Sequence, residues 1–257
     1  MKISKEIRDL LEEKYIQFNT IDFIENDPVL IPHLFQKKED IEIAGFLAAT
    51  IAWGNRKSII KNATNLMDMM GQSPHEFVLN HSAKDLKGLQ TFVHRTFNGS
   101  DCTFFIRALK NIYTKHGGLE NVFSEAISPT DQDIKNAIIH FRNVFFEIKH
   151  LSRTEKHVSN PLKNSSAKRL CMYLRWMVRK DQNKVDLGIW KNMKPSQLCL
   201  PLDVHTGNVS RKLGLLKRKQ NDWTAVEEIT DVLRTLDKKD PVKYDFSLFG
   251  LGVTGEI

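Results

Sequence analysis

Apolar residues recur at helical spacing along almost the whole of this 257-residue chain, and no segment shows the sustained two-residue alternation of a strand. Ile7, Leu10, Leu11, Tyr15 and Phe18 share one helical face, and Ile43, Phe46, Leu47, Thr50 and Ile51 form the next stripe. Ile59, Ile60, Ala63, Leu66, Met67 and Met70 follow and stop at Gly71. Phe105, Ala108, Leu109 and Ile112 stop at Gly117-Gly118, a C-cap signal. Ile134 to Ile148, Leu170 to Val178 and Val226 to Leu236 repeat the pattern. The chain is therefore expected to be all-α with short connections.

Two stretches break the rhythm. KHLSRTEKHVSNPLKNSSA (Lys149 to Ala167) is polar and basic, and reads as a loop or a pair of turns ahead of a helix from Lys168. KDQNKVDLGIWKNMKPSQLCLPL (Lys180 to Leu202) separates that helix from Asp203. Near the end, Gly250 and Gly252 are expected to allow a tight backbone path against the core.

Lysine and arginine number 38 against 31 aspartates and glutamates, a net charge of +7. That balance favours a polyanionic partner such as nucleic acid. Cys102, Cys171 and Cys199 are too dispersed for a disulfide framework or a zinc or iron–sulfur spacing, so buried free thiols are expected. No apolar run approaches the ~20 residues of a membrane span, and MKISKEIRDLLEEKY lacks a signal-peptide core. The expectation is a cytoplasmic protein, monomeric and without a membrane partner.

LCLPLDVHTGNVSRKLGLL (Leu198 to Leu216) places a carboxylate, Asp203, just before an amphipathic segment whose apolar positions are Val209, Leu213 and Leu216. Asp203 thus reads as a helix N-cap. Asn208, Arg211 and Lys212 lie on the more polar side. His205 beside Asp203 is a poor metal pair, since two ligands separated by a single residue do not make a site, and no metal is expected.

The run LDVHTGNVSRKLGL resembles the pattern Val-Asp-Thr-His-Val-x-Arg-Val-x-x-Arg-Leu-Gly-Leu of the helix-hairpin-helix (HhH-GPD) DNA glycosylase superfamily. Two further segments are similar, in the same order. FLAATIAWGNRKSIIKNATNLM resembles the family's early helix, with WGNR where a DNA-contacting Gln often stands, and DPVKYDFSLFGLGV resembles its closing helix. The resemblance runs from about Ile41 to the end and is weakest between Gly71 and Lys149. It points to a divergent bacterial branch, nearest in layout to the archaeal 8-oxoguanine type, which also has a degenerate hairpin and a long lysine-to-aspartate insert. The family hairpin Leu-Pro-Gly-Val-Gly-x-Lys is replaced here by LKNSSAKRLCMYL, so an irregular hairpin at about residues 160–170 is expected.

The resemblance implies two helical lobes with a cleft, residues 1–70 and 204–257 forming one lobe and residues 71–203 the other. It implies DNA base excision, with abasic-site lyase activity, on a damaged base such as an oxidised purine in duplex DNA. Asp203 is then the catalytic carboxylate. Lys168 rather than Lys163 is the Schiff-base lysine, 35 residues before Asp203. The chain stops where many family members continue into an iron–sulfur cluster, so no cluster is expected, and a monovalent cation at the hairpin is the one ion the resemblance allows.

The chemistry needs both residues. Breaking an N-glycosidic bond puts positive charge on the sugar, which a fixed carboxylate stabilises, and a neutral lysine amine can attack C1′. Asn55 and Arg56, Ser165 and Ser166, Arg175, His205, Asn208 and Arg211 are the expected nucleic-acid contacts; Arg175, Arg179 and Lys180 are read as an exposed helix face. Two other readings stand beside this one: a non-catalytic DNA- or RNA-binding helical module, and a helical protein-interaction scaffold on which the charge is incidental.

Overall fold

A computed structural model describes residues 3–257. Helices dominate. In chain order they are α1 (Lys5–Phe18), α2 (Ile21–Glu25), α3 (Leu30–His33), α4 (Lys38–Thr50), α5 (Arg56–Met69), α6 (Pro74–Asn80) and α7 (Ala83–Gly88). They continue as α8 (Gly99–Lys115), α9 (Leu119–Ser124), α10 (Lys135–Phe145), α11 (Lys168–Val178), α12 (Val204–Lys212), α13 (Trp223–Arg234) and α14 (Asp245–Thr254). The all-α expectation holds with one small exception. A hairpin of two-residue strands, β1 (Val93–His94) and β2 (Phe97–Asn98), pairs antiparallel around Arg95, which takes a left-handed φ of 55°. Among the described residues no helix is long and apolar enough to cross a membrane.

The helix starts are set locally. Ser4 caps α1 and Asp222 caps α13, each side chain accepting a first-turn N–H. Asn98 and Asp101 form a capping box on α8, and Ser82 and Asp85 form one on α7.

The chain divides into two compact units. The first comprises the chain up to Phe23, Ser128–Lys135 and Ser159–Ile257; the second comprises Ile24–Ile127 and Asn136–Val158. This corrects the expected boundaries of 1–70 with 204–257 and of 71–203. Residues 41–70 fall in the second unit because α4 packs on α3, α5 and α6. Residues 159–203 fall in the first because α11 is tied to Tyr15 of α1 and to Asp240 and Asp245.

The second unit is centred on phenylalanines. Phe46 stacks on Phe105 with centroids 5.7 Å apart, and Phe123 stacks on Phe141 at 4.2 Å. The first unit buries Trp176, Trp223, Tyr173, Tyr244 and Phe246. Its α1 lies along α14, where the Ser247 hydroxyl donates to the Leu11 carbonyl at 2.6 Å. The contact is so close that a Cβ on Gly250 would stand 2.1 Å from the Phe18 ring. The tight path expected at Gly250 is thus a helix–helix contact.

The irregular stretch after α11 folds back on that helix's end. The N–H groups of Leu187 and Gly188 donate to the Trp176 carbonyl, and that of Trp190 to Met177. These bonds satisfy carbonyls that a helix C-terminus leaves open. At its root lies Arg179, fully buried, whose guanidinium donates to Asp181, Asp186 and Asp240 and to the Tyr15 hydroxyl.

Candidate functional site

The polar turn before α11 is irregular, as expected. Pro161–Lys163 make one 3-10 turn, Asn164 is left-handed at φ 58°, and Ala167 is left-handed at φ 48° just before α11 begins. Non-glycine residues hold such angles only where the surroundings impose them. Here the turn is fastened to the start of α13. Trp223 N–H donates to the Asn164 carbonyl at 3.2 Å, the Asn164 amide donates to Asp222 Oδ2 at 3.0 Å, and Ser165 makes a β-bridge with Asp222. The carbonyls of Asn160, Pro161, Asn164 and Ala167 each accept a main-chain hydrogen bond.

This bracing fixes where α11 starts, and with it Lys168, the first helical residue. Lys168 is half-buried. Its Nζ rests against Met172 Sδ at 3.5 Å and has no carboxylate partner among the described residues.

Asp203 caps α12. Its Oδ1 accepts from Thr206 N–H at 2.9 Å, and its carbonyl accepts from Gly207 N–H and from the Asn221 amide, both at 2.9 Å. The second carboxylate oxygen, Oδ2, carries no hydrogen bond among the described residues. The cap thus uses one oxygen and leaves the other open.

A third group, Asp245, joins these two. It is the first residue of α14 and is buried. Burial pushes its carboxyl up to about 6, against the pull of Arg175. The Asp203 charge pushes the same way as burial, and the Lys168 charge opposes it. Lys168, Asp203 and Asp245 therefore share one electrostatic neighbourhood, each at the opening of a helix of the first unit. Helix N-termini favour negative charge nearby. The sequence reading passed over Asp245, although it carries the same signature as Asp203: a carboxylate opening a helix of apolar residues, in DFSLFGLGV.

The remaining expected contacts separate clearly. Arg175 is not on an exposed face; it is buried, with its guanidinium donating to Asp186 at 3.2 Å and to Asp245, so it is unavailable to a phosphate. Arg179 is likewise internal. Arg211 is half-buried and braces the loop after α12, donating to the Arg218 carbonyl at 2.7 Å and to Asn221 Oδ1 at 2.6 Å. His205 is exposed; its Nδ1 lies 3.3 Å from the Gly252 carbonyl and its ring stands edge-on to Phe249. Asn208 is exposed. Ser165 and Ser166 are half-buried in the turn, and Ser165 Oγ accepts from Ala167 N–H at 3.4 Å. Asn55 and Arg56 belong to the second unit, where Asn55 caps α5 through Ser58 N–H at 3.2 Å.

All three cysteines are free and buried, and burial pushes the Cys102 and Cys199 thiols up to about 12. They are protonated at neutral pH and are not nucleophiles. Among the described residues no three His, Cys, Asp or Glu side chains converge so as to hold a metal ion.

The fold is helical, and in it one lysine and two carboxyls each stand at the opening of a helix, with the charges of Lys168 and Asp203 both acting on Asp245. Residues 27–254 match a family described as a protein of unknown function, DUF2400, and the chain belongs to that family. No curated protein and no solved structure matches it.

Proposed function

We propose that this chain is a DNA base-excision glycosylase with abasic-site lyase activity, acting on a damaged base, with an oxidised purine the first class to try. One observation carries the reading. A lysine and a capping carboxylate, which among the described residues have respectively no carboxylate partner and one oxygen without a hydrogen bond, both act on the charge of the same buried carboxyl from the starts of α11 and α12. The resemblance of LDVHTGNVSRKLGL and its two companion segments to the HhH-GPD superfamily supports it independently.

In this scheme duplex DNA is the partner and the target base leaves the stack before it reacts. The open oxygen of Asp203 faces the positive charge that develops on the sugar as the C1′–N bond lengthens. The Lys168 amine attacks C1′, the C1′–N bond breaks, and the base departs with the electron pair and is protonated. The lysine nitrogen then gives up a proton, and its lone pair forms the C1′=N Schiff base as the C1′–O4′ bond breaks and O4′ takes up a proton. Exposed Asn208 and His205 on α12 are available to the strand beside the site.

The test is borohydride trapping on duplexes carrying 8-oxoguanine, uracil, thymine glycol or an abasic site. A covalent adduct is expected with at least one of them, and Lys168→Gln abolishes it. No adduct on any lesion, with duplex binding retained, overturns the enzyme reading in favour of a non-catalytic nucleic-acid-binding module.

A further inference from the structure

A second feature lies in the other unit and plays no part in the scheme above. A surface cavity of about 320 Å³ opens beside the first two turns of α8, lined by Ser100, Thr103, Phe104, Arg107, Lys149 and His150 among others. No carboxylate lines it. Neither the Arg107 guanidinium nor the Lys149 ammonium has a hydrogen-bond or ion-pair partner among the described residues, and both are exposed.

The carboxylates behind its walls are already matched. Asp101, which accepts from the lining residue Thr154 at 2.7 Å, is paired with Arg153 at 2.7 Å. Glu155, beside His150, is paired with Arg142 at 2.5 Å. The two cations of the cavity are therefore uncompensated locally, and a cleft lined by one sign of charge concentrates the opposite charge.

The rest of the wall adds two kinds of contact. Ser100, Thr103 and Gln90 supply hydroxyl and amide groups, with Gln90 Nε2 donating to Thr103 Oγ1 at 2.8 Å. The His150 ring fixes one side, its Nδ1 set 2.8 Å from the Ile148 carbonyl and its plane tilted against Phe104. Phe104 is itself held by Phe146, with the two rings stacked at 5.5 Å. A paired cation, hydroxyl donors and a rigid aromatic side in a space of this size suit a small anion that carries a ring.

We infer that this cavity binds a phosphate ester of mononucleotide size, with Arg107 and Lys149 on the phosphate and the Phe104–His150 side against the base or sugar. The phosphate can come from a free nucleotide or from the 5′ end of a nucleic-acid strand.

Calorimetric titration of the full chain distinguishes these. AMP is expected to bind at least about tenfold more tightly than adenosine, with inorganic phosphate competing. The double variant Arg107→Gln, Lys149→Gln is expected to lose that margin while its thermal midpoint stays at the wild-type value, because both side chains are exposed and unpaired. A 5′-phosphorylated single strand that binds more tightly than its 5′-hydroxyl counterpart, with the preference lost in the double variant, assigns the pocket to strand ends. AMP binding without that preference assigns it to a free nucleotide. Equal binding of AMP and adenosine, or AMP binding unchanged in the double variant, overturns the inference. Neither outcome bears on Lys168 or Asp203, which lie in the other unit.

Discussion

Arg175 donates to Asp245, and this buried pair joins α11 to the start of α14. The same guanidinium reaches Asp186 with its Nε. Arg175 pulls the Asp245 carboxyl down, as the Lys168 charge does, while burial and the Asp203 charge push it up.

That position makes stability depend on pH in a definite sense. Burial raises the Asp245 carboxyl, and with Arg175 and Lys168 opposing and Asp203 and Asp186 adding to the rise, it moves from 3.8 to about 6. The folded protein therefore holds this proton more tightly than the unfolded chain does. The stability so gained is complete below the ordinary aspartate range and is lost as pH rises through about 6. Thermal melts from about pH 5 to 7.5 check this: Asp245→Asn should remove a falling component from the wild-type curve. Parallel curves for the two proteins would show that the carboxyl does not titrate there.

Asp203 combines a structural and a chemical task that two substitutions separate. Asp203→Asn keeps a capping side chain and should leave the urea midpoint nearly unchanged, whereas Asp203→Ala should cost about 1 kcal/mol. If the proposed chemistry holds, both lower base excision by roughly 10²-fold or more, because each removes the charge that faces the sugar. Single-turnover excision beside equilibrium unfolding reads both effects.

Arg179 is the more severe structural test. Asp181, Asp186 and Asp240 converge on it. Burial pushes the Asp240 carboxyl up, and Arg179 pulls it back. Arg179→Ala leaves these carboxylates without their cation and should destabilise by about 3–5 kcal/mol, read as a lower denaturant midpoint. Arg179→Lys should recover only part of the loss, since an ammonium cannot reproduce the planar fork that spans several acceptors. A midpoint within error of wild type for the alanine variant would mean that the network contributes nothing.

Gly250→Ala forces a methyl group into the Phe18 ring, and overpacking of this kind costs about 1–3 kcal/mol. The companion change Phe18→Ala opens the space. The double variant should be less destabilised than the sum of the two single ones, and strict additivity would argue against direct contact.

If the chain binds duplex DNA through its basic surface, fluorescence anisotropy should show affinity falling steeply as salt rises. A flat dependence would mean few phosphate contacts.

Much of this molecule was legible as sequence. The helical stripes locate most of the longer helices, and an Asp ahead of Val209 and Leu216 reads correctly as a cap. The turn at residues 160–167 is irregular for the reason its lack of glycine suggests. The charges on α11 were misread because spacing reports only a helix's own faces. From Leu170 to Val178 every residue of that helix is buried, and the aspartates that neutralise Arg175 and Arg179 come from beyond it, at positions 181, 186, 240 and 245. The β1–β2 hairpin escaped notice because two residues per strand leave no alternation to detect. The unit boundaries were hidden because both units are discontinuous in sequence.

The clasp between α1 and α14 has a consequence for how the chain is made. The second unit has its whole sequence once residue 158 has been translated. α1 is translated long before α14, yet its Leu11 and Phe18 pack against Ser247 and Gly250. At ordinary elongation rates the interval between residue 158 and α14 is on the order of ten seconds, during which α1 exposes an apolar stripe to chaperones and proteases. A chain that ends before Asp245 therefore leaves Leu11 and Phe18 without their α14 contacts.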